Sequence, residues 1–264
     1  MRVVMLTVLL IGCKKVEPAP TALDDLAHYY WTDFDTDAVE FGAATANLDA
    51  AIGGSTIDDM VFGAISDLTA EELELVGMGD RDPAAPAGIY YANVVRCSLA
   101  ELEEHSYAIN QDELHAGTYE GYQREYTTDF DAYTSRQVDT LEWVSVYDVA
   151  GLGVEYTATI NGTMRFLPSI DDEATPHGDL LLVRGVLDEP GYIEGSDNER
   201  GLMQDYQLEV FYARAPREVI HFYVMWRDMI YTSSVNFDSE SAQSLVIGGL
   251  EDWDKEAEEW CGAR

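Results

Sequence analysis

Three cysteines stand far apart in this chain of 264 residues, at Cys13, Cys97 and Cys261. A thiol can form a disulfide, carry a covalent lipid or act as a nucleophile, and its surroundings decide among these fates. Because the count is odd, at least one of the three must stay outside any disulfide within the chain. The residues around Cys13 indicate which one.

Cys13 follows a short apolar segment at the start of the chain. Behind Arg2, residues 3–12 form an apolar run of ten. As a helix this run would reach about 15 Å, half of the roughly 30 Å hydrocarbon core of a membrane. It is too short for a stable transmembrane anchor, but it has the length of the apolar region of a signal peptide. The sequence Leu10-Ile11-Gly12-Cys13 that ends it resembles the lipobox of bacterial lipoproteins.

This resemblance implies that the chain is cleaved before Cys13 and that Cys13 carries acyl chains such as palmitate. Residues 1–12 would be a lipoprotein signal peptide, and residues 13–20 the lipidated cysteine with a proline-containing tether. Several acyl chains hold a protein firmly, at about 0.8 kcal/mol per buried CH₂. The protein would therefore be anchored in the bacterial cell envelope. In some bacteria an Asp after the lipidated cysteine favours the inner membrane, and since Lys14 stands there, the outer membrane is the expected location, on its periplasmic or surface face.

If Cys13 carries lipid, Cys97 and Cys261 remain as an even pair. Export would place them in an oxidising compartment, where a disulfide persists. A Cys97–Cys261 bond would close a loop of more than 160 residues, worth roughly 5 kcal/mol in the chain-entropy model. The alternative is a pair of free, buried thiols.

Asp33, Asp35 and Asp37 form the most suggestive acidic motif. Alternating aspartates are similar to the opening of an EF-hand calcium loop. However, Ala38 stands where that loop needs glycine, and Ala44 where it needs a bidentate glutamate. The EF-hand interpretation therefore fails, and the three aspartates remain a candidate for a weak Ca²⁺ site. No other cofactor is expected.

The remaining reactive side chains form no recognised catalytic pattern. Residues 53–57, GGSTI, depart from a serine nucleophile elbow at Ile57. His105 and His115 lack the spacing of a metal site. Fifty acidic residues make carboxylate pairs for glycoside hydrolysis abundant by chance. No catalytic residue can therefore be named, although a hydrolase with an unidentified acidic active site remains an alternative.

The charge balance limits the range of partners. The chain has 15 basic and 50 acidic residues, a formal net charge of -35. Such a field repels nucleic acid, which we exclude as a partner, and attracts cations and cationic proteins. The composition, with 47% hydrophobic and 11% aromatic residues, is that of a folded protein.

Two parts follow the tether. Residues 21–80 show helical periodicity, with capping-box spacing from Thr21 to Asp24 and from Thr69 to Glu72. Ser98 to Glu101 is expected to open a further short helix. From residue 88 the period changes to two, and residues 88–264 are expected to form an antiparallel β domain with a C-terminal helix. The clearest alternation places Ala158, Gly162 and Met164 on one face. Further strands are expected at 89–96, 119–127, 141–149, 180–187, 206–212, 219–226, 230–237 and 244–247, and the last helix over 249–261.

The predicted fold class is therefore α+β: an N-terminal helical segment, a mainly antiparallel curved sheet or barrel of about eight or nine strands, and a C-terminal helix. The first hypothesis for function is a non-enzymatic envelope lipoprotein that binds an apolar ligand or a partner through its sheet. A hydrolase and a purely structural surface protein are the alternatives.

Overall fold

The computed structural model describes residues 19–36, 41–115, 118–151, 154–169, 178–232 and 235–264. The signal peptide predicted at 1–12, the predicted lipidation site Cys13 and the calcium candidate Asp37 lie outside the described residues. The helices and strands below therefore belong to the described ranges alone.

The described helices lie before, between and after the strands along the chain. The helices are α1 (Leu23–Thr32), α2 (Gly42–Ile52), α3 (Ala70–Glu74), α4 (Leu99–Tyr107), α5 (Gln111–Leu114), α6 (Phe130–Thr134) and α7 (Glu240–Gly262). The strands are β1 (Val61–Ile65), β2 (Ala87–Val95), β3 (Gly121–Tyr126), β4 (Thr140–Gly151), β5 (Val154–Leu167), β6 (Leu180–Leu187), β7 (Gly191–Tyr192), β8 (Gly201–Ala215), β9 (Glu218–Thr232) and β10 (Val235–Asn236).

All named strands belong to one antiparallel sheet with the order β1-β2-β9-β8-β6-β5-β4-β3. The short strands β7 and β10 pair with β8 and β9 outside this path. No ladder between described residues joins β1 to β3, so the sheet is curved and open, and the barrel alternative does not apply. The predicted α+β class, with a mainly antiparallel sheet and a C-terminal helix, is confirmed.

The strands expected separately at 219–226 and 230–237 are joined in β9, which continues to Thr232. Two further local expectations were wrong. Residues 244–247, expected as a strand, lie inside α7, which begins at Glu240, nine residues before the expected start. The hydroxyl of Ser239 caps this helix by accepting from the backbone N–H of Ala242. The three apolar residues 245–247 fit a strand or a helix equally well, and this cap favours the helix.

The second difference is β1, which lies within the segment 21–80 assigned to helices. Its five residues pair with β2, with Val61 opposite Ala92. A strand this short carries little periodicity of its own, and the edge of the sheet stabilises it. The capping boxes that start α3 at Thr69 and α4 at Ser98 are both formed as their sequences predict. The one expected at Thr21 is not formed, because Ala22 is the N-cap of α1 and no side chain among the described residues caps that helix.

The two faces of the sheet are covered by different helices. Because side chains alternate along a strand, Leu208 and Val210 of β8 pack on the N-terminal side, in a core that includes Leu26 and Trp31 of α1. The intervening residues, such as Phe211, point to the opposite face, towards α4 and α7. None of the helices in the described ranges is long and apolar enough to cross a bilayer.

The C-terminal helix is tied to the sheet by a covalent bond. Cys97, just after β2, and Cys261, in the last turn of α7, form a disulfide with 5.6 Å between their Cα atoms. This is the pair that is expected if Cys13 carries lipid. On the same helix Trp253, Ala257 and Trp260 lie on the stripe expected from their spacing and pack in the core beside α4.

Candidate functional site

A cavity lies between α7 and the sheet face that α7 covers. It has two overlapping compartments, which share Tyr119, Gln207, Glu209, Tyr223 and Trp253 among their lining residues. The sheet compartment, about 350 Å³, lies over β3 to β6 and contains Arg124 and Trp143. The helix compartment, about 510 Å³, is bounded by α7 through residues such as Leu250. Volumes of this order are typical of small-molecule sites.

The floor of the sheet compartment is formed where two glycines meet. Gly162 of β5 lies opposite Gly185 of β6, and the same row continues to Trp143 on β4 and Gln207 on β8. An ideal Cβ on Gly162 would lie 2.2 Å from Cε2 of Trp143. Two neighbouring strands therefore present no side chain here, and the missing volume is filled partly by the Trp143 indole and partly by the cavity.

Aromatic rings form much of the cavity wall, because strand alternation directs them inward. Tyr119 stands between Tyr122 and Tyr147, with ring centroids 5.3 and 5.4 Å away. Burial raises the pKa of Tyr119 and Tyr147 above the usual value, so both phenols are neutral at pH 7 and can donate hydrogen bonds. The aromatic lining comprises Tyr119, Tyr122, Trp143, Tyr147, Tyr156, Tyr223 and Trp253.

Arg124 of β3 reaches into the sheet compartment. Its guanidinium carbon lies 4.5 Å from the ring centroid of Trp143. Nε donates to the hydroxyl of Ser145 at 3.3 Å, and Nη1 donates to the carbonyl of Ser106, near the end of α4, at 2.6 Å. The Tyr126 hydroxyl is a further hydrogen-bonding neighbour. All these partners are neutral.

A second arginine in the cavity is neutralised. Arg227 of β9 donates from Nε and Nη2 to the two carboxylate oxygens of Asp205, both at 2.9 Å. Asp205 is fully buried, and the amide of Gln207 also donates to it. Burial opposes the charge of Arg227, but Asp205 outweighs that effect and raises the pKa of the guanidinium. This closed pair carries no net charge towards a ligand.

Glu209, the carboxylate among the described residues that line the sheet compartment, ends a buried chain of polar groups. Its Oε2 lies 3.3 Å from Nε2 of His221, at ion-pair distance but not in hydrogen-bond alignment. Nδ1 of His221 lies 2.8 Å from Asp254 of α7, whose other oxygen accepts from the Tyr91 hydroxyl and the Asn93 amide. Burial opposes protonation of His221, yet Asp254 and then Glu209 raise its pKa to about 9.

Two other histidines pack around Trp253 at the edge of the helix compartment. The rings of His105 and His115 have centroids 5.0 Å apart. Burial, with repulsion from His115, lowers the pKa of His105 to about 3. Nδ1 of His115 is 2.6 Å from Glu256 of α7. Within the described ranges, no group of three His, Cys, Asp or Glu side chains is arranged to hold a metal ion.

The calcium candidates lie away from the cavity, on the side of the sheet covered by the N-terminal helices. Asp33 ends α1, and Asp35 forms an ion pair with Arg184 at 3.3 Å. Asp37 is outside the described residues. The Ca²⁺ site stays a prediction.

The strand alternation in the sequence predicts only part of the cavity. Of the expected inward residues, Gly162 lines the cavity, while Ala158 and Met164 fill the core beside it. Arg124 was not singled out, although it lies in an expected strand, at an inward position between Tyr122 and Tyr126. A single arginine among alternating aromatic residues of one strand is the sequence signal that indicates this position. His221 and Asp254 carried no local signal, because different elements bring them together.

Comparisons with known proteins give limited information. No family model and no curated protein sequence matches the chain. Among solved structures, the lipid transfer and protein localization domain of human StarD13 has 10% identity and a TM-score of 0.46, covering 76% of this chain and 86% of that one. Human STARD10 has 7% identity and a TM-score of 0.45, covering 74% and 81%. A STAR-related lipid transfer protein fragment from Xanthomonas axonopodis has 9% identity and a TM-score of 0.37, covering 68% and 86%. Similarities this low say nothing of the function of this chain.

Proposed function

We propose that this protein is a non-enzymatic binding protein that holds a small ligand with an apolar, ring-containing body in the cavity under α7. The observation that carries the proposal is the glycine floor. Most inward positions of this face hold buried side chains, but in this row Gly162 gives its space to the Trp143 indole and Gly185 leaves open space beside it. A protein that needed only a filled core would gain stability from larger residues at Gly185, where the space is free.

The cavity lining supports a ligand with flat apolar surfaces. Aromatic side chains bind other rings by stacking and edge contacts, worth about 0.5–1.5 kcal/mol each beyond the burial of area. Around them stand neutral donors and acceptors such as Ser145, Gln207 and the tyrosine hydroxyls. A few polar groups in an apolar wall are the usual means of orienting a ligand.

A fluorescence titration tests this proposal. N-phenylnaphthylamine, a neutral aromatic probe that brightens in apolar surroundings, should bind the wild-type protein at about one molecule per chain. Gly185→Leu should abolish binding by filling the floor. An ideal Cβ at Gly185 meets no atom closer than 3.4 Å, so the variant should fold. No binding to the wild type, or equal binding to the variant, would contradict the proposal.

The proposal includes an envelope location, supported by the lipobox at residues 10–13. Cys13 would carry the acyl chains, and Lys14 and Lys15 would lie at the lipid headgroups, each gaining about 1 kcal/mol against an anionic leaflet. Cys13→Ala should release the protein from the membrane fraction and remove the acyl mass. Replacing both lysines with Gln should weaken retention at low salt only. A Cys13→Ala protein that stays with the membrane would refute the anchor.

The second candidate is acid–base catalysis in the same cavity, favoured by the Glu209–His221–Asp254 chain. With a pKa of about 9, His221 is protonated at pH 7, which leaves Glu209 as the group able to take a proton. Turnover of nitrophenyl esters or glycosides that disappears in Glu209→Gln would establish a hydrolase. A chain that neither binds the probe nor turns over substrate would be a structural surface protein.

A further inference from the structure

The two compartments of the cavity differ in charge. The helix compartment includes Glu209, Asp252 and Glu256 among its lining residues. In the sheet compartment the described acid is Glu209, which faces the protonated His221. Arg124 stands in that same compartment. The cavity is therefore positive at the end over β3 and acidic at the end under α7.

The charge of Arg124 has no acidic partner in the described part of the chain. Four described arginines lack an ion pair with a described residue, and only Arg124 among them lines the cavity; the others are Arg81, Arg96 and Arg200. With 50 acidic and 15 basic residues in the sequence, an unpaired arginine inside a cavity is unexpected from composition. Leaving a partly buried cation unpaired costs free energy.

Structural contacts hold the guanidinium without neutralising it. The carbonyl of Ser106 binds one N–H at the end of α4, and the Ser145 hydroxyl binds another, itself 2.8 Å from the Tyr122 hydroxyl. A guanidinium has five N–H donors in a flat fork. The guanidinium carbon lies over the Trp143 ring at 4.5 Å from its centroid. A guanidinium held by such contacts can bind the two oxygens of a carboxylate or a similar anion.

We infer that the ligand carries an anionic group, such as a carboxylate or sulfonate, on its aromatic or apolar body, and that Arg124 binds that group in the sheet compartment. The inference rests on the proposed function and specifies the ligand class. The net charge of the chain repels free anions at long range, but at physiological ionic strength exposed charges are largely screened beyond about 8 Å. Inside the cavity, the nearby positive charge of Arg124 determines whether an anionic group binds.

A matched pair of probes separates this inference from the proposed function. Anilinonaphthalene sulfonate and N-phenylnaphthylamine share one aromatic skeleton, and only the first carries an anionic group. The wild-type protein should bind the sulfonate about 10- to 100-fold more tightly, the range that a charge-assisted hydrogen bond supplies. Arg124→Gln should lose this preference, and Arg124→Lys should restore part of it. Arg96→Gln, which removes an exposed arginine outside the cavity, should keep it.

A competition experiment gives the same answer without a substitution. Naphthoate should displace N-phenylnaphthylamine from the wild-type protein at about 10-fold lower concentration than its neutral methyl ester. Equal affinities for charged and neutral partners, with no effect of Arg124→Gln, would overturn the anion inference and leave the cavity as a binding site. Failure of every probe to bind, or binding that survives Gly185→Leu, would refute the proposed function and the inference with it.

Discussion

Gly162 and Gly185 face each other across β5 and β6, yet their surroundings are opposite. A Cβ added to Gly162 would enter the Trp143 indole at 2.2 Å from Cε2, whereas a Cβ added to Gly185 would lie 3.4 Å from Ile160 and 3.7 Å from Gln207. One glycine makes room for a ring, and the other leaves room that none of the described side chains fills. The cavity exists because both occur in the same row.

The first prediction compares alanine at the two glycines. Gly162→Ala should destabilise the fold by about 1–3 kcal/mol, because the Trp143 ring must move. Gly185→Ala should be neutral or stabilising by up to about 1 kcal/mol, since its backbone is ordinary strand and the unfolded chain loses entropy. Urea unfolding of both variants measures the difference. Equal destabilisation would mean that Trp143 does not occupy the space over Gly162.

His221 should make stability decline in alkali. Its pKa is raised from 6.5 to about 9 in the folded protein, chiefly by Asp254 against the effect of burial. As the pH rises, the unfolded chain therefore loses this proton at a lower pH than the folded protein does. The contribution, about 3 kcal/mol, is complete below pH 6.5 and is lost as the pH rises through 9.

Urea unfolding between pH 6 and 9.5 tests this decline. The wild-type protein should lose stability across that range, and His221→Gln should be less stable at pH 6 but much flatter above it. A wild-type profile as flat as that of the variant would show that His221 is not charged in the folded protein.

His105 should make the stability of the protein decline in acid. Its pKa falls to about 3 in the folded protein because it is buried beside His115. The unfolded chain binds a proton below pH 6.5, so the contribution of His105 is present above 6.5 and is lost as the pH falls towards 3. His105→Phe keeps a ring against Trp253 and Trp260 and should reduce the loss of stability between pH 6.5 and 4. The carboxylates titrate in both proteins, so the difference between the two profiles isolates His105.

Removal of the disulfide should strongly destabilise the protein. Cys97 and Cys261 are 164 residues apart in sequence, and a loop of this length corresponds to roughly 5 kcal/mol in the chain-entropy model. The Cys97→Ala/Cys261→Ala double variant should melt at a much lower temperature, and reductant should lower the wild-type value but not that of the variant. Two free thiols at these positions in unreduced wild-type protein would contradict the bond.

Local patterns in the sequence predicted the parts of the fold that depend on neighbouring residues. Alternation identified long strands such as β5, and hydroxyl–glutamate spacing identified the starts of α3 and α4. The odd number of cysteines, together with the assignment of Cys13 to lipid, indicated the disulfide. The short edge strand β1 was not predicted, because its pairing with a neighbouring strand stabilises it. The early start of α7 was not predicted, because it depends on the cap formed by one serine.

The site was less predictable because it depends on register. That Gly162 meets Gly185, or that Arg124 lies on Trp143, follows from which residues of adjacent strands are paired. His221 and Asp254 are 33 residues apart, on a strand and a helix. The sequence of a single strand or helix therefore does not reveal which of these residues meet.

The most direct test of the ligand-binding claim is native mass spectrometry of the protein isolated without detergent exchange from the cells that make it. The wild-type protein should carry one small molecule in addition to its own mass, an anion by its chemistry, and Gly185→Leu prepared in the same way should carry none. Ligand-free wild-type protein in repeated preparations, or the same adduct on both proteins, would contradict the claim that this cavity binds a ligand.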